Sequence, residues 1–244
     1  MSLEIKICGL STPETLDAAL AAGADMIGLV FFARSPRHVD VARAARLAAQ
    51  ARGRAQIVAL TVDADDDALA AIIDAAAPDI LQLHGHETPE RVSAIRARFG
   101  RPVMKALGIG GPEDLPALTA YARVADRLLL DAKPPKGAAL PGGNGVAFDW
   151  NLIADLDLAN LDLANLDRAR SFMLSGGLDP ANVGTAVRLI QPGGVDVSSG
   201  VEQAPGIKDS ARIAAFVRAA REAALTPGPA SATPTPPARE TSPP

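Results

Sequence analysis

The chain alternates short, continuously apolar runs with longer segments in which apolar residues recur at helical spacing. Runs that are apolar throughout indicate strands buried on both faces, and apolar residues three or four positions apart indicate amphipathic helices. Strands are predicted at 3–7, 26–30, 57–61, 80–83, 103–107, 127–130, 172–174 and 195–197. Helices are predicted at 13–22, 41–50, 65–76, 89–99, 113–121, from near 149, from near 179 and at 209–223.

This alternation predicts an α/β fold, the (β/α)8 TIM barrel, as a single domain over residues 1–225. Parallel strands that are apolar throughout need a covering layer of helices, and eight such units close the sheet into a barrel. A doubly wound open sheet is the alternative, but no GxGxxG sequence follows the first strand. The composition is 48% hydrophobic and only 3% aromatic, which favours packed helices over an all-β sandwich.

Two segments interrupt the alternation. Residues 154–167 repeat in steps of five, as ADLDL, ANLDL and ANLDR. Three copies are too few for a pentapeptide-repeat solenoid to bury a core, so we interpret the segment as a duplication that lengthens the connection before the seventh strand. Residues 226–244 are rich in proline and lack apolar periodicity, which predicts a disordered tail.

Charge and cysteine usage limit the classes of function. The net charge is −4 and no basic cluster occurs, so we expect no nucleic acid partner. We find neither a signal-like leader nor an apolar run long enough to span a bilayer, so we expect no membrane partner and a cytoplasmic location. The single cysteine, Cys8, excludes an internal disulfide, in agreement with a reducing compartment.

Paired glycine turns follow the last two predicted strands. The seventh strand leads into Gly176 and Gly177, and the eighth leads into Ser198, Ser199 and Gly200. Glycines let backbone N–H groups approach a ligand, and the loops after strands seven and eight of a TIM barrel commonly hold phosphate. The turns therefore predict a phosphate site, and tight connecting turns without a binding role are the alternative.

Residues directly after the strands of a barrel converge on one rim. Cys8 follows the first strand and is a candidate base or nucleophile if its thiol ionises. Asp131 follows the sixth strand and is a candidate general acid if burial keeps it protonated. The alternatives are a small buried hydrophobe for Cys8 and a loop-capping carboxylate for Asp131. Together with the glycine turns, these residues predict an acid–base site for a phosphorylated substrate.

Other side chains are candidates for the same rim. Arg37 in SPRHV can hold a carboxylate through its planar fork, and Arg34 is the nearby competitor. His84 and His86 follow the fourth strand, but no carboxylate partners for a metal are evident at suitable strand ends. We therefore expect one histidine to form hydrogen bonds in the pocket, without a metal. Residues 132–147 form a long glycine-rich loop, which indicates an active-site lid or a surface connection.

Motifs at most strand ends together resemble the phosphoribosylanthranilate isomerase family of tryptophan biosynthesis. They are KICGL, GADMIGLVFFARSPRHV, DILQLHG, LLLDAK with PGGNG and FDW, LSGGLDPANV, and GVDVSSGVE. The resemblance extends over residues 3–223 and implies an Amadori rearrangement of N-(5-phosphoribosyl)anthranilate without metal or organic cofactor. Asn144 stands where the lid of the family often reads GGTG.

The resemblance also implies roles for named residues. Cys8 would be the general base that takes the proton from the sugar C2, and Asp131 the general acid that protonates the ring oxygen. Arg37 would hold the anthranilate carboxylate, the two glycine turns would hold the phosphate, and Asp196 would contact the sugar or position neighbouring groups. His84 would line the pocket. The partner is then a small phosphorylated substrate, bound by a monomer or a homodimer.

Three rival functions stay open. The histidine-pathway isomerase, which sometimes serves both pathways, carries an aspartate where this chain has Cys8. Indole-glycerol-phosphate synthase needs a catalytic lysine and glutamate on early strands, and Lys6 lies on the same face of the first strand as Cys8 without the rest of that set. The third rival is a non-catalytic barrel that binds a phosphorylated metabolite for regulation.

Overall fold

A computed structural model describes residues 3–133, 142, 149–154 and 172–225. Within these residues, eight parallel strands close into one barrel in chain order, which confirms the predicted (β/α)8 fold. The strands are β1 (Glu4–Cys8), β2 (Met26–Phe31), β3 (Gln56–Thr61), β4 (Ile80–Leu83), β5 (Val103–Ile109), β6 (Arg127–Ala132), β7 (Phe172–Leu174) and β8 (Gly194–Val197). The helices are α1 (Pro13–Ala22), α2 (Val41–Ala51), α3 (Asp66–Ala76), α4 (Pro89–Phe99), α5 (Pro116–Ala122), α6 (Asn151–Ala154), α7 (Val183–Ile190) and α8 (Ser210–Leu225).

Helix boundaries follow local capping chemistry. The Thr12 side chain accepts a hydrogen bond from the Thr15 N–H at the start of α1, and Gly23 ends this helix at a φ of 87°. The predicted helix 113–121 is instead divided into a 3₁₀ turn at Pro112–Asp114 and α5. The division falls at Pro116, which has no N–H to donate and is best accommodated in the first turn of a new helix.

The barrel interior is filled in layers. Alternate strand residues point inward, and one apolar layer consists of Met26, Val58, Ile80, Met104, Ala106, Leu129 and Met173. A second group lies nearer the carboxyl ends of the strands and consists of Cys8, Val30 and Leu60. Cys8 thus sits on top of a packed interior, as the strand-end rule for barrels predicts.

A short hairpin that the sequence did not predict lies between β8 and α8. Its strands are β9 (Glu202–Ala204) and β10 (Ile207–Lys208), which pair antiparallel. Strands of three and two residues are too short for apolar alternation to reveal them. The hairpin matters because it places Glu202 and Lys208 in buried positions.

Several predictions lie outside the described residues. They concern the tail at 226–244, the five-residue repeats at 155–167, and residue 144 with most of the glycine-rich loop. The boundary between a domain at 1–225 and a tail therefore stays a prediction. In the described part of the chain, no helix is both long and apolar enough to cross a bilayer.

Candidate active site

One pocket opens among the loops at the carboxyl ends of the strands, with about 790 Å³ of empty space including its mouth. That volume suits a small organic ligand. All predicted site residues except Gly200 line it: Cys8, Arg37, His84, Asp131, Gly176, Gly177, Asp196, Ser198 and Ser199. Val30, Phe32, Leu60, Val62 and Leu178 add an apolar wall. The structure therefore brings the predicted thiol and carboxyl to the same end of the barrel.

Cys8 ends β1 with only 3% of its surface exposed. Burial raises the pKa of its thiol, because a thiolate is poorly solvated there, and the nearby Lys6 opposes this increase. The thiol is therefore the resting form at neutral pH. A role as a base requires a positive charge that stabilises its thiolate.

Lys6 and Asp196 form a fully buried ion pair in the interior of the barrel. The Lys6 Nζ donates to the Asp196 Oδ1 at 2.8 Å, and the Ser175 Oγ donates to the Asp196 Oδ2 at 3.3 Å. Burial alone lowers the pKa of Lys6, but Asp196 and then Cys8 outweigh it and raise the pKa overall. Lys6 therefore keeps its positive charge next to Cys8.

Asp131 is held by two contacts that orient its carboxyl group. Its Oδ1 accepts a hydrogen bond from the Ala132 N–H at 2.8 Å, and its Oδ2 lies 3.3 Å from the His84 Nε2. The Gln82 Nε2 lies 3.1 Å from the His84 Nδ1. An amide nitrogen can only donate, so the His84 Nδ1 accepts and its Nε2 carries the proton that faces Asp131.

The second histidine lies apart from the pocket. The His86 side chain is 95% exposed and pairs with Asp63 at 3.2 Å on the surface. Only His84 faces the pocket, as expected for one of the two. In the described ranges, no group of three or more His, Cys, Asp or Glu residues is placed to hold a metal ion.

Arg37 reaches the pocket from the loop after β2, whereas its competitor Arg34 is exposed on the same loop. The Arg37 Nε donates to the Glu202 Oε1 at 2.8 Å and its Nη2 donates to the Glu202 Oε2 at 2.9 Å. The Lys208 Nζ also donates to the Glu202 Oε1 at 2.8 Å. Burial raises the pKa of Glu202, but the hydrogen bonds and charges of Arg37 and Lys208 lower it overall.

The two glycine turns meet at one side of the pocket. Gly176 has a φ of 86°, and a side chain there would approach the Ala132 nitrogen to 2.5 Å, so only glycine fits. Among the described residues, the backbone N–H groups of Gly176 and Gly177 have no hydrogen-bond acceptor. Two adjacent unpaired donors are suited to an anion.

Gly200 has a different position from the other residues of the turns. A side chain on it would come within 1.9 Å of the Leu178 carbonyl oxygen. Its backbone therefore packs against the turn after β7, so that the two turns lie in direct contact.

Ser198 is engaged within the protein. Its Oγ donates to the Cys8 carbonyl oxygen at 3.2 Å, and the Lys208 Nζ donates to the Ser198 carbonyl oxygen at 2.8 Å and to its Oγ at 3.2 Å. A hydroxyl has one proton to donate, and that of Ser198 is used in the hydrogen bond to Cys8. The Ser198 side chain therefore holds the turn after β8 against the end of β1.

The sequence alone does not identify several residues that line the pocket or lie behind it. Glu202 and Lys208 depend on the unpredicted hairpin, and Ser175 is recognised only by its position in the pocket and its hydrogen bond to Asp196. Lys6 was the exception, since its spacing of two residues from Cys8 placed both on one face of β1. The ion pair with Asp196 itself is not predicted, because it depends on the pairing of β1 with β8.

A family model described as N-(5'phosphoribosyl)anthranilate (PRA) isomerase matches residues 5–219 of the chain. An N-(5'-phosphoribosyl)anthranilate isomerase of Rhodopseudomonas palustris (strain BisA53) is 61% identical over 221 residues, which cover 91% of this chain and 97% of that protein.

Solved structures agree with these sequence matches. The phosphoribosyl anthranilate isomerase of Thermotoga maritima superposes with a TM-score of 0.76 at 32% identity, covering 90% of this chain and 99% of that one. A second structure of this kind, in complex with reduced 1-(o-carboxyphenylamino)-1-deoxyribulose 5-phosphate, has a TM-score of 0.74 at 31% identity over the same fractions of the two chains.

Proposed function

The chain belongs to the N-(5'-phosphoribosyl)anthranilate isomerase family, and on that premise we propose that it catalyses the Amadori rearrangement of tryptophan biosynthesis. Its substrate is N-(5-phosphoribosyl)anthranilate and its product is 1-(2-carboxyphenylamino)-1-deoxyribulose 5-phosphate. The observation that carries the proposal is the position of Cys8 and Asp131 in one pocket beside the two glycine turns. The reaction needs a general acid to open the sugar ring and a general base to remove the proton from C2, and one pocket supplies a candidate for each.

The two ends of the substrate are anionic and match different parts of the pocket. The phosphate binds at the turns, where Gly176, Gly177 and Ser199 line the pocket and the two glycine N–H groups have no acceptor among the described residues. Gly200 keeps the two turns together, and Ser198 contributes through its backbone. The anthranilate carboxylate binds near Arg37, a buried guanidinium that lines the pocket and is oriented by two hydrogen bonds to Glu202.

Asp131 acts first, as the general acid. Its carboxyl proton passes to the ring oxygen, the bond between C1 and that oxygen breaks, and the nitrogen lone pair forms a C=N⁺ bond. The His84 Nε2–H then donates a hydrogen bond to the carboxylate that remains, which is 3.3 Å away. Stabilising the new anion makes the proton transfer easier.

Cys8 acts second, as the general base. Its thiolate takes the proton from C2, and the electrons of that C–H bond form C1=C2 and neutralise the nitrogen. The 2-hydroxyl then loses a proton and C1 gains one, which yields the ketone. C2 is oxidised and C1 is reduced by the same electron pair, so the rearrangement has no net redox change and needs no external electron acceptor.

The activity is tested by generating phosphoribosylanthranilate in situ and following the loss of its anthranilate fluorescence. We expect purified protein to catalyse this loss with EDTA present, and no isomerisation of the aminoimidazole substrate of the histidine pathway. Protein that binds the reduced product analogue but leaves the fluorescence unchanged would support a regulatory binding barrel instead. Sedimentation of the same preparation tests the expected monomer or homodimer, and the cytoplasmic location stays a prediction.

A further inference from the structure

Lys6 is a buried cation to which the proposed proton transfers give no task. Lys6 is 0% exposed in the interior of the barrel. It lies two residues before Cys8 on β1, and Cys8 lines the pocket. A lysine so deeply buried is unfavourable unless its charge is compensated. Its presence in the interior, where apolar residues fill the neighbouring layer, therefore calls for an explanation.

Gly28 on β2 shows how close the ammonium and the thiol are. A Cβ atom built on this glycine would lie 2.9 Å from the Cys8 Sγ and 3.1 Å from the Lys6 Nζ. The sulfur and the nitrogen are therefore at most about 6 Å apart, a range in which an opposite charge favours ionisation. The missing side chain of Gly28 leaves room for both groups.

Asp196 fixes the direction of the ammonium group. Its Cα is paired with that of Lys6 across the β1–β8 ladder, and its Oδ1 accepts a hydrogen bond from the Lys6 Nζ at 2.8 Å. The Ser175 Oγ, 3.3 Å from the Oδ2, holds the other carboxylate oxygen. This arrangement leaves the ammonium group, which has three protons, oriented next to the thiol.

The charges that act on Cys8 come from three strands. Burial is the largest influence on the pKa of Cys8 and raises it. Among the charges, Lys6 on β1 and Lys208 on β10 lower this pKa, whereas Asp196 on β8 raises it. The adjacent β2 contributes Gly28 and Val30, which carry no charge. Lys6 is the largest of the influences that favour the thiolate.

We propose that Lys6 is a positioning residue that stabilises the thiolate of Cys8 by its charge, with Asp196 orienting its ammonium group. The inference rests on the proposed role of Cys8 as the general base. Lys6 keeps its proton throughout: the Cys8 proton leaves to solvent before the reaction, and the thiolate later receives the C2 proton. Lys6 thus counters the effect of burial on the base.

The test is a pH titration of the thiolate by its ultraviolet absorbance, supported by the pH dependence of alkylation with iodoacetamide. Because the chain has a single cysteine, alkylation of cysteine reports on Cys8 alone, and the absorbance is corrected for the ionisation of the one tyrosine. We expect Lys6→Met to lower the thiolate fraction at a given pH at least about tenfold, equivalent to one pKa unit. Lys6→Arg keeps the charge and should restore most of the thiolate.

Lys105→Met is the matched control. Lys105 is 2% exposed and pairs with Glu87 at 2.7 Å, but it lies on the outer face of the barrel wall near Tyr121. Its removal should leave the Cys8 titration unchanged. If Lys6→Met does not fold, Lys6→Gln keeps a donor for Asp196 without the charge and should show the same loss of thiolate.

A folded Lys6→Met or Lys6→Gln protein whose thiol titrates as in the wild type would overturn the inference. So would a Lys6→Arg protein that titrates like Lys6→Met. Neither result depends on turnover. A wild-type protein without isomerase activity would instead overturn the proposed function and leave the titration result standing.

Discussion

Two buried lysine–carboxylate pairs lie on opposite faces of the barrel sheet, one on its inner face at β1 and the other on its outer face at β5. Lys6 meets Asp196 at 2.8 Å inside the barrel, and Lys105 meets Glu87 at 2.7 Å between the sheet and the helices. The exposed fractions of the two lysines are 0% for Lys6 and 2% for Lys105. By distance and burial, the two pairs are equivalent, and any difference in their roles must come from their surroundings.

The neighbours of Lys105 are groups that hold loops and a helix in place. Its Nζ also donates to the Gly85 carbonyl oxygen at 2.7 Å and lies 5.6 Å from the centre of the Tyr121 ring. The Glu87 Oε1 in turn accepts from the Asp63 N–H at 2.9 Å, so the pair joins the loop between β4 and α4 to the loop between β3 and α3. Lys6 instead has a titratable thiol as its second neighbour. Two buried lysine–carboxylate pairs of similar distance and burial thus differ in what lies beside the lysine, which is a thiol for Lys6 and a tyrosine ring with a loop carbonyl for Lys105.

The largest effect is expected from removing each lysine in turn. Lys6→Met and Lys105→Met should each lower the free energy of unfolding by about 3–5 kcal/mol, because each leaves an unpaired buried carboxylate. Only Lys6→Met should also reduce kcat for the variants that remain folded. Denaturant titration and the fluorescence assay measure the two quantities, and an equal loss of kcat in both variants would remove the distinction between the two pairs.

Removing the charge of Glu202 should have the next largest effect. Glu202→Gln should destabilise the protein by about 3 kcal/mol and raise KM more than it lowers kcat, because Arg37 and Lys208 lose their shared carboxylate. Since Arg37 and Lys208 lower the pKa of Glu202, its stabilising contribution is present above the ordinary glutamate pKa of 4.5 and is lost as the pH falls below it.

The corresponding measurement is thermal unfolding of wild type and Glu202→Gln across the acid range. The gap between their Tm values should narrow as the pH falls below 4.5. A constant gap would show that Glu202 does not stabilise the folded state through its charge.

A smaller effect should follow from filling the space beside the inner pair. Gly28→Ala places a methyl group 2.9 Å from the Cys8 Sγ, so overpacking should cost about 1–3 kcal/mol and disturb the thiol. Gly184→Ala on α7 is the matched control, since its nearest neighbour would be at 3.4 Å and alanine favours a helix. Equal thiol titrations in the two variants would count against a crowded Lys6–Cys8 site.

The smallest effect is expected on the surface next to the pocket histidine. His86→Ala removes a 95% exposed side chain that pairs with an exposed Asp63, so stability and kcat should stay close to wild type. His84→Ala removes the contact with Asp131 and should lower kcat. A loss of kcat in His86→Ala similar to that in His84→Ala would contradict the assignment of the pocket histidine.

Much of the fold could be predicted from the sequence because eight strand–helix units repeat one strong pattern. The ranges of α1, β4, α4 and β7 coincide with their predictions. The β9–β10 hairpin could not be predicted, since two such short strands have no measurable period.

The candidate site likewise has residues that the sequence predicts and residues that it does not. Strand ends placed Cys8, Asp131 and the glycine turns on one rim, because barrel topology alone decides that position. The partner of Arg37 could not be predicted, since Glu202 comes close to it only through the hairpin, 165 residues later in the chain. Pairings between distant segments depend on packing that no local pattern encodes.

The most direct test of the account is the turnover of Cys8→Ser and Asp131→Asn beside wild type, with the affinity of each for the reduced product analogue. We predict that kcat falls by about 10²–10⁴ in each variant, the usual contribution of a general acid or base, while the affinity for the analogue is retained. Either variant turning over phosphoribosylanthranilate at the wild-type rate would contradict the assignment of these two residues.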